Sequence, residues 1–104
     1  MTIKEMQAEI ERQIAAKLPA GFRRNTMAGP GEHVFMCGRW VLNYGGPASQ
    51  PDKPWRAIAF ERDVMSASGS GATPGEAIAS ARGMLRHIAA SVAAAYAEAD
   101  GFAP

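Results

Sequence analysis

The last third of the chain constrains the fold most. Between Pro74 and Ala99, the residues Ile78, Ala81, Leu85, Ile88, Val92, Tyr96 and Ala99 recur at steps of three and four. That spacing puts them on one face of an α-helix, and the many alanines around them are strong helix formers. A helix over 74–99 is about 39 Å long at roughly 1.5 Å per residue. The strand pattern Trp55 to Glu61 reaches only about 23 Å. The helix is therefore longer than the strand it can cover. Either it frays beyond Ala90, or its end overhangs the sheet and packs on something else.

The first 18 residues have the same period. Ile3, Met6, Ile10, Ile14 and Leu18 share a face, and Thr2 followed by Glu5 matches a capping box, so the spacing predicts a helix over 2–18. "LPAG" then stops it. Between the helices the pattern turns to strands. "HVFMCGRWVLNY" predicts a strand over about 33–44, with Gly38 as a bulge or turn within it. "GGPASQPDKP" is a loop. "WRAIAFER" alternates over 55–62, and of its two faces Ile58 and Phe60 are the expected core side. A further strand over 64–69 follows a tight turn near Arg62–Asp63. The expected fold is α+β: a single domain over 1–104 with a helix, three or four antiparallel strands and a long helix. Each helix has one apolar stripe, so both cover the sheet, on the same face or on opposite faces.

Composition makes that core thin. Of 104 residues 47% are hydrophobic, but 21 are alanine and only 17 are Leu, Ile, Val or Phe. A chain of this size buries roughly 65% of its unfolded surface. The net charge of +1 offers no concentrated basic face for nucleic acid and no dense row of carboxylates that would mimic it. The single cysteine, Cys37, forms no internal disulfide and points to a reducing compartment. The N-terminus lacks the apolar core of a signal peptide, and no run approaches the ~18 apolar residues of a membrane span. The expected location is the cytoplasm.

The glycine-rich stretch "SGSGATPGEAIASARGML" (68–85) raises the question of a phosphate-binding loop. A Walker loop needs Lys and then Ser or Thr after its last glycine, whereas Gly71 is followed by Ala72 and Thr73. A dinucleotide fingerprint needs G-x-G-x-x-G, and Gly69, Gly71 and Gly75 are spaced one residue too widely. A helix start explains more: Thr73 as N-cap, Pro74 at the first helical position and Glu76 as the capping carboxylate. Ser68 to Gly71 then form the connection from strand to helix.

Two families share features with this chain. The run from Trp55 through Phe60, followed by "ASGSGATPGEAIASA" (67–81), resembles small phage and prophage proteins with an α/β/α sandwich domain. That resemblance implies phage or prophage origin and carries over no activity. The helix–strands–helix order, with a G-x-G connection into an Ala-rich helix, is similar to a double-stranded RNA-binding domain. That family grips phosphate with lysines at this junction; here the positions hold Thr73, Pro74, Gly75 and Glu76.

The remaining candidates are few. His33 and His87 have no cysteine or carboxylate at metal-ligand spacing, and no cofactor motif stands out, so no catalytic, cofactor or metal residue is assigned. His87 falls opposite the apolar stripe and is expected in solvent. Cys37 and His33 on one strand would stand about 13 Å apart, too far for the one to activate the other. Arg23, Arg24, Arg56, Arg82 and Arg86 could form a cationic edge for an anion or nucleic acid. Ala90, Ala93, Ala94 and Ala97 lie away from Leu85 and Val92, and no charged residue occurs between His87 and Ala97. Such a face is either a contact surface, including one between two copies across a two-fold axis, or a set of exposed helix formers. The expectation is a non-enzymatic interaction or accessory protein with a protein partner or a second copy. The alternative is a nucleic-acid-binding module using the arginine edge.

Overall fold

The computed structural model describes residues 1–26, 28–29, 32–45, 51–61 and 64–102. Its elements are α1 (Ile3–Ala15), β1 (Arg23–Arg24), β2 (His33–Cys37), β3 (Trp40–Tyr44), β4 (Trp55–Glu61), β5 (Val64–Gly71) and α2 (Pro74–Asp100). The strands form one antiparallel sheet in chain order. The arrangement is α+β, as the periodicities imply.

Local chemistry sets most boundaries. The Glu5 N–H donates to Thr2 Oγ1, and the Glu76 N–H donates to Thr73 Oγ1, so each helix starts on a threonine cap. The Glu76 carboxylate also accepts from the Ala72 N–H. Helix α1 ends at Ala15, three residues short of expectation, because the Lys17 and Leu18 amides bond three residues back and tighten the last turn. The 33–44 segment is a hairpin, with Gly38 at φ 58° turning it between Cys37 and Trp40. Strand β1 carries no sequence signal; two arginines pair with Met36 and Phe35 at the sheet edge. The expected Arg62–Asp63 turn and the middle of the 45–54 loop lie outside the described residues.

Both helices cover the same face of the sheet. Ile14 of α1 and Ala77 and Ala81 of α2 share one core with Phe35, Leu42, Trp55 and Ala57. Trp55 is 1% exposed and stacks edge-on with Tyr44 at 5.1 Å. The expected facing of β4 is therefore reversed: Trp55, Ala57 and Ala59 are buried under the helices, and Ile58 and Phe60 point the other way.

The reason lies in β5. The strand runs through to Gly71, so Ser68–Gly71 are strand residues, and only Ala72 and Thr73 connect it to α2. A Cβ on Gly69 would lie 2.7 Å from Ala77 O and clash with the Ala81 amide; one on Gly71 would lie 2.6 Å from Glu76 Cβ. Helix α2 thus rests directly on the strand backbone, and only glycine and alanine fit beneath it. On the neighbouring β4, Ala57 and Ala59 take the helix side, and Ile58 and Phe60 take the opposite face.

Helix α2 follows β5 in reverse, from Glu76 beside Gly71, through Ser80 beside Gly69, to Met84, whose sulfur lies 3.5 Å from the Ser68 amide. Past the sheet it continues, and from Ala89 to Asp100 every residue is exposed. The helix overhangs rather than frays. Helix α1 projects past the other end: its Glu11 reaches His33, whereas Gly21 beyond it approaches Cys37. The chain consequently measures 72 × 26 × 23 Å, with a radius of gyration of 17.6 Å against about 13 Å for a compact domain of this length.

Gly69→Ala should destabilise the fold by more than about 2 kcal/mol, lowering the midpoint of thermal unfolding by roughly 8 °C or more. Gly83→Ala, on α2 with open space around it, should stabilise by up to about 1 kcal/mol. Circular dichroism melts of the two variants check both signs.

Candidate interaction surface

The residues singled out by sequence do not converge on one site. Arg24 lies on the helix side, its Nε 2.7 Å from Glu11 Oε1. Arg23 and Arg56 belong to β1 and β4, separated by two strands, and Arg82 and Arg86 are exposed on α2. The five arginines form no continuous edge. His87 is exposed on α2, as expected from its position opposite the apolar stripe. Cys37 is half-buried beside Gly21.

His33 has a partner that sequence reasoning missed. Its Nδ1 lies 2.8 Å from Glu11 Oε2, and the same carboxylate holds Arg24. The ring also meets Tyr44 edge-on at 6.0 Å. Glu11 thus ties α1 to β1 and β2 at once, in a region where α1 otherwise buries only Ile14. Twenty-two residues separate Glu11 from His33, so spacing could not reveal the pair. Among the described residues, no group of three His, Cys, Asp or Glu could hold a metal ion, and no helix is long and apolar enough to cross a membrane.

What the fold does bring together is bare apolar surface. On the overhanging half of α2, Val92 is 50% and Tyr96 73% exposed. These two continue the stripe that buries Ala77 and Ala81 further back. Ala90, Ala93, Ala94 and Ala97 are exposed as well, on the other side of the same segment. Ile3, Met6 and Ile10 form a shorter bare stripe on α1.

The second surface is the open face of the sheet, where Met36 is exposed, Val34, Ile58 and Phe60 are half-buried and Val41 is buried. On the face away from the helices, Val34, Met36, Val41, Ile58 and Phe60 line an open groove of about 860 Å³, with Asn43 among them. The pairing Met36–Val41–Ile58 runs straight across three strands, and Val34–Asn43–Arg56 forms the next row. Asn43 Oδ1 is shielded from solvent and has no hydrogen-bond partner among the described residues, an arrangement that costs on the order of 1–3 kcal/mol. Arg39 at the rim pairs with Glu61 at 3.1 Å. The sequence signal for this surface was present in β4, where both alternating sets contain apolar residues, Trp55, Ala57 and Ala59 on one and Ile58 and Phe60 on the other. No protein family, no curated protein and no solved structure matches this chain.

Glu11→Ala removes both contacts that tie α1 to the sheet edge. It should lower stability by about 1 kcal/mol, seen as a fall of roughly 4–8 °C in the unfolding midpoint. Loss of protection of the α1 amides from hydrogen exchange before the rest of the chain would locate the effect.

Proposed function

We propose that this chain is a small non-enzymatic interaction protein that acts by surface contact, with the overhanging half of α2 as its contact element. The observation that carries the reading is the exposure of Val92 and Tyr96 on a stripe continuous with the core. A helix end built for solvent would carry Glu or Lys on that stripe. Instead, no charge occurs from His87 to Ala97. The Val92–Tyr96 side offers larger apolar groups than the Ala90, Ala93, Ala94 and Ala97 side, so it is the better contact face. The Trp55-led strand and the helix start after Thr73 support placing the protein among phage or prophage accessory proteins.

Self-association is the simplest form of such contact. Light scattering over a concentration series should show a dimer for the wild type and a monomer for Val92→Glu. Ala94→Glu, on the opposite side of the helix, should remain dimeric. A wild type that stays monomeric at millimolar concentration would remove the self-association reading, and a dimer lost only in Ala94→Glu would move the contact to the alanine side.

A further inference from the structure

Resting on the reading of α2 as a contact element, we propose that its occupant is the open sheet face of a second copy, in a reciprocal two-fold dimer. Each copy would lay its overhanging helix across the groove of the other. Four observations meet in this arrangement.

The first is direction. The apolar stripe of α2 faces the plane of its own sheet, because the same stripe buries Ala77 and Ala81. Beyond the sheet end, the stripe therefore looks toward the continuation of that plane. A two-fold axis in the plane, across the helix, places the partner sheet there with its faces inverted. The partner's open face then meets the overhang, and the partner's helix covers the first copy's groove by symmetry.

The second is length. On the helix, Ile88, Val92 and Tyr96 stand at four-residue steps and span about 12 Å. On β4, Phe60, Ile58 and Arg56 stand at two-residue steps on the open face and span about 13 Å. The helix leaves its own sheet at the end where β5 begins, and the partner presents the equivalent end first. Ile88 thus meets the partner's Phe60, Val92 meets the Ile58 end of its Met36–Val41–Ile58 row, and Tyr96 reaches the Arg56 end of its Val34–Asn43–Arg56 row.

The third is polar matching in that last row. Asn43 Oδ1 is a shielded acceptor without a donor among the described residues. Tyr96 is the one side-chain donor on the bare stripe, and its phenol arrives at the same level. The fourth is charge. Glu98 and Asp100 occupy the last turn of α2, which holds no basic residue, so they stand at the unfavourable end of the helix dipole. In the dimer Asp100, one turn beyond Tyr96 on the same side of the helix, lies beside the partner's Arg56, which is exposed and has no ion pair among the described residues. A helix face about 18 by 10 Å, used twice per dimer, buries about 700 Å² in total, the size of a weak interface that forms at high protein concentration.

The test mixes two monomeric variants. Val92→Glu disables the helix side, and Ile58→Glu disables the sheet side. In sedimentation, each alone should be monomeric where the wild type is dimeric. An equimolar mixture should dimerise again, at least tenfold more weakly than the wild type, because one helix–sheet contact stays intact. Arg56→Glu, at an exposed position, should weaken the dimer roughly tenfold through repulsion of Asp100 in both symmetric contacts. Recovery in the mixture also shows that both variants fold. If Ile58→Glu and Arg56→Glu dimerise like the wild type while Val92→Glu does not, α2 is a contact element but its occupant is not the sheet, and this proposal falls alone. A mixture that stays monomeric, with both variants melting cooperatively, overturns it equally. A wild type monomeric throughout removes both readings.

Discussion

The structure depends on the close approach of α2 to the backbone of β5. Gly69 and Gly71 leave no side chain between strand and helix, and Ala77 and Ala81 press into the space from above. Packing of this kind joins two elements through dispersion over short distances rather than through bulky side chains. It anchors only the first three turns of a 27-residue helix, and those turns hold the rest out in solvent. Alanine keeps the remainder helical without tertiary support, since propagation from an anchored segment avoids the cost of nucleation.

The same contact decides which side of the sheet is core. With room for only Ala57, Ala59 and Ala67 beneath α2, the large side chains Ile58 and Phe60 are placed on the far side. The core proper is shifted toward β2 and β3, where Phe35 and Leu42 cluster with Ile14 of α1 and with Trp55 at the start of β4. A sheet with apolar residues on both faces but helices on one, together with an apolar helix half without cover, leaves two uncovered surfaces in one small chain.

The candidate surfaces were only partly legible beforehand. The unpartnered length of α2 followed from comparing helix rise with strand rise. The identity of the exposed groups did not, because Val92 and Tyr96 share the stripe that elsewhere is core. The groove was hidden by the habit of assigning the larger apolar set of an alternating strand to the interior. The Glu11–His33–Arg24 cluster was beyond reach of spacing, since it joins residues from three elements.

What the sequence by itself determined is local: the period of each helix, the threonine caps, the turn at Gly38 and the excess length of α2. These depend on interactions within a few residues, which the chain carries wherever it folds. Only the tertiary structure decided the facing of β4, the placement of both helices on one side, the extension of β5 to Gly71 and the edge strand β1. Each of those depends on how closely two distant segments approach, and that distance is set by atoms that are missing, the side chains that glycine and alanine do not have.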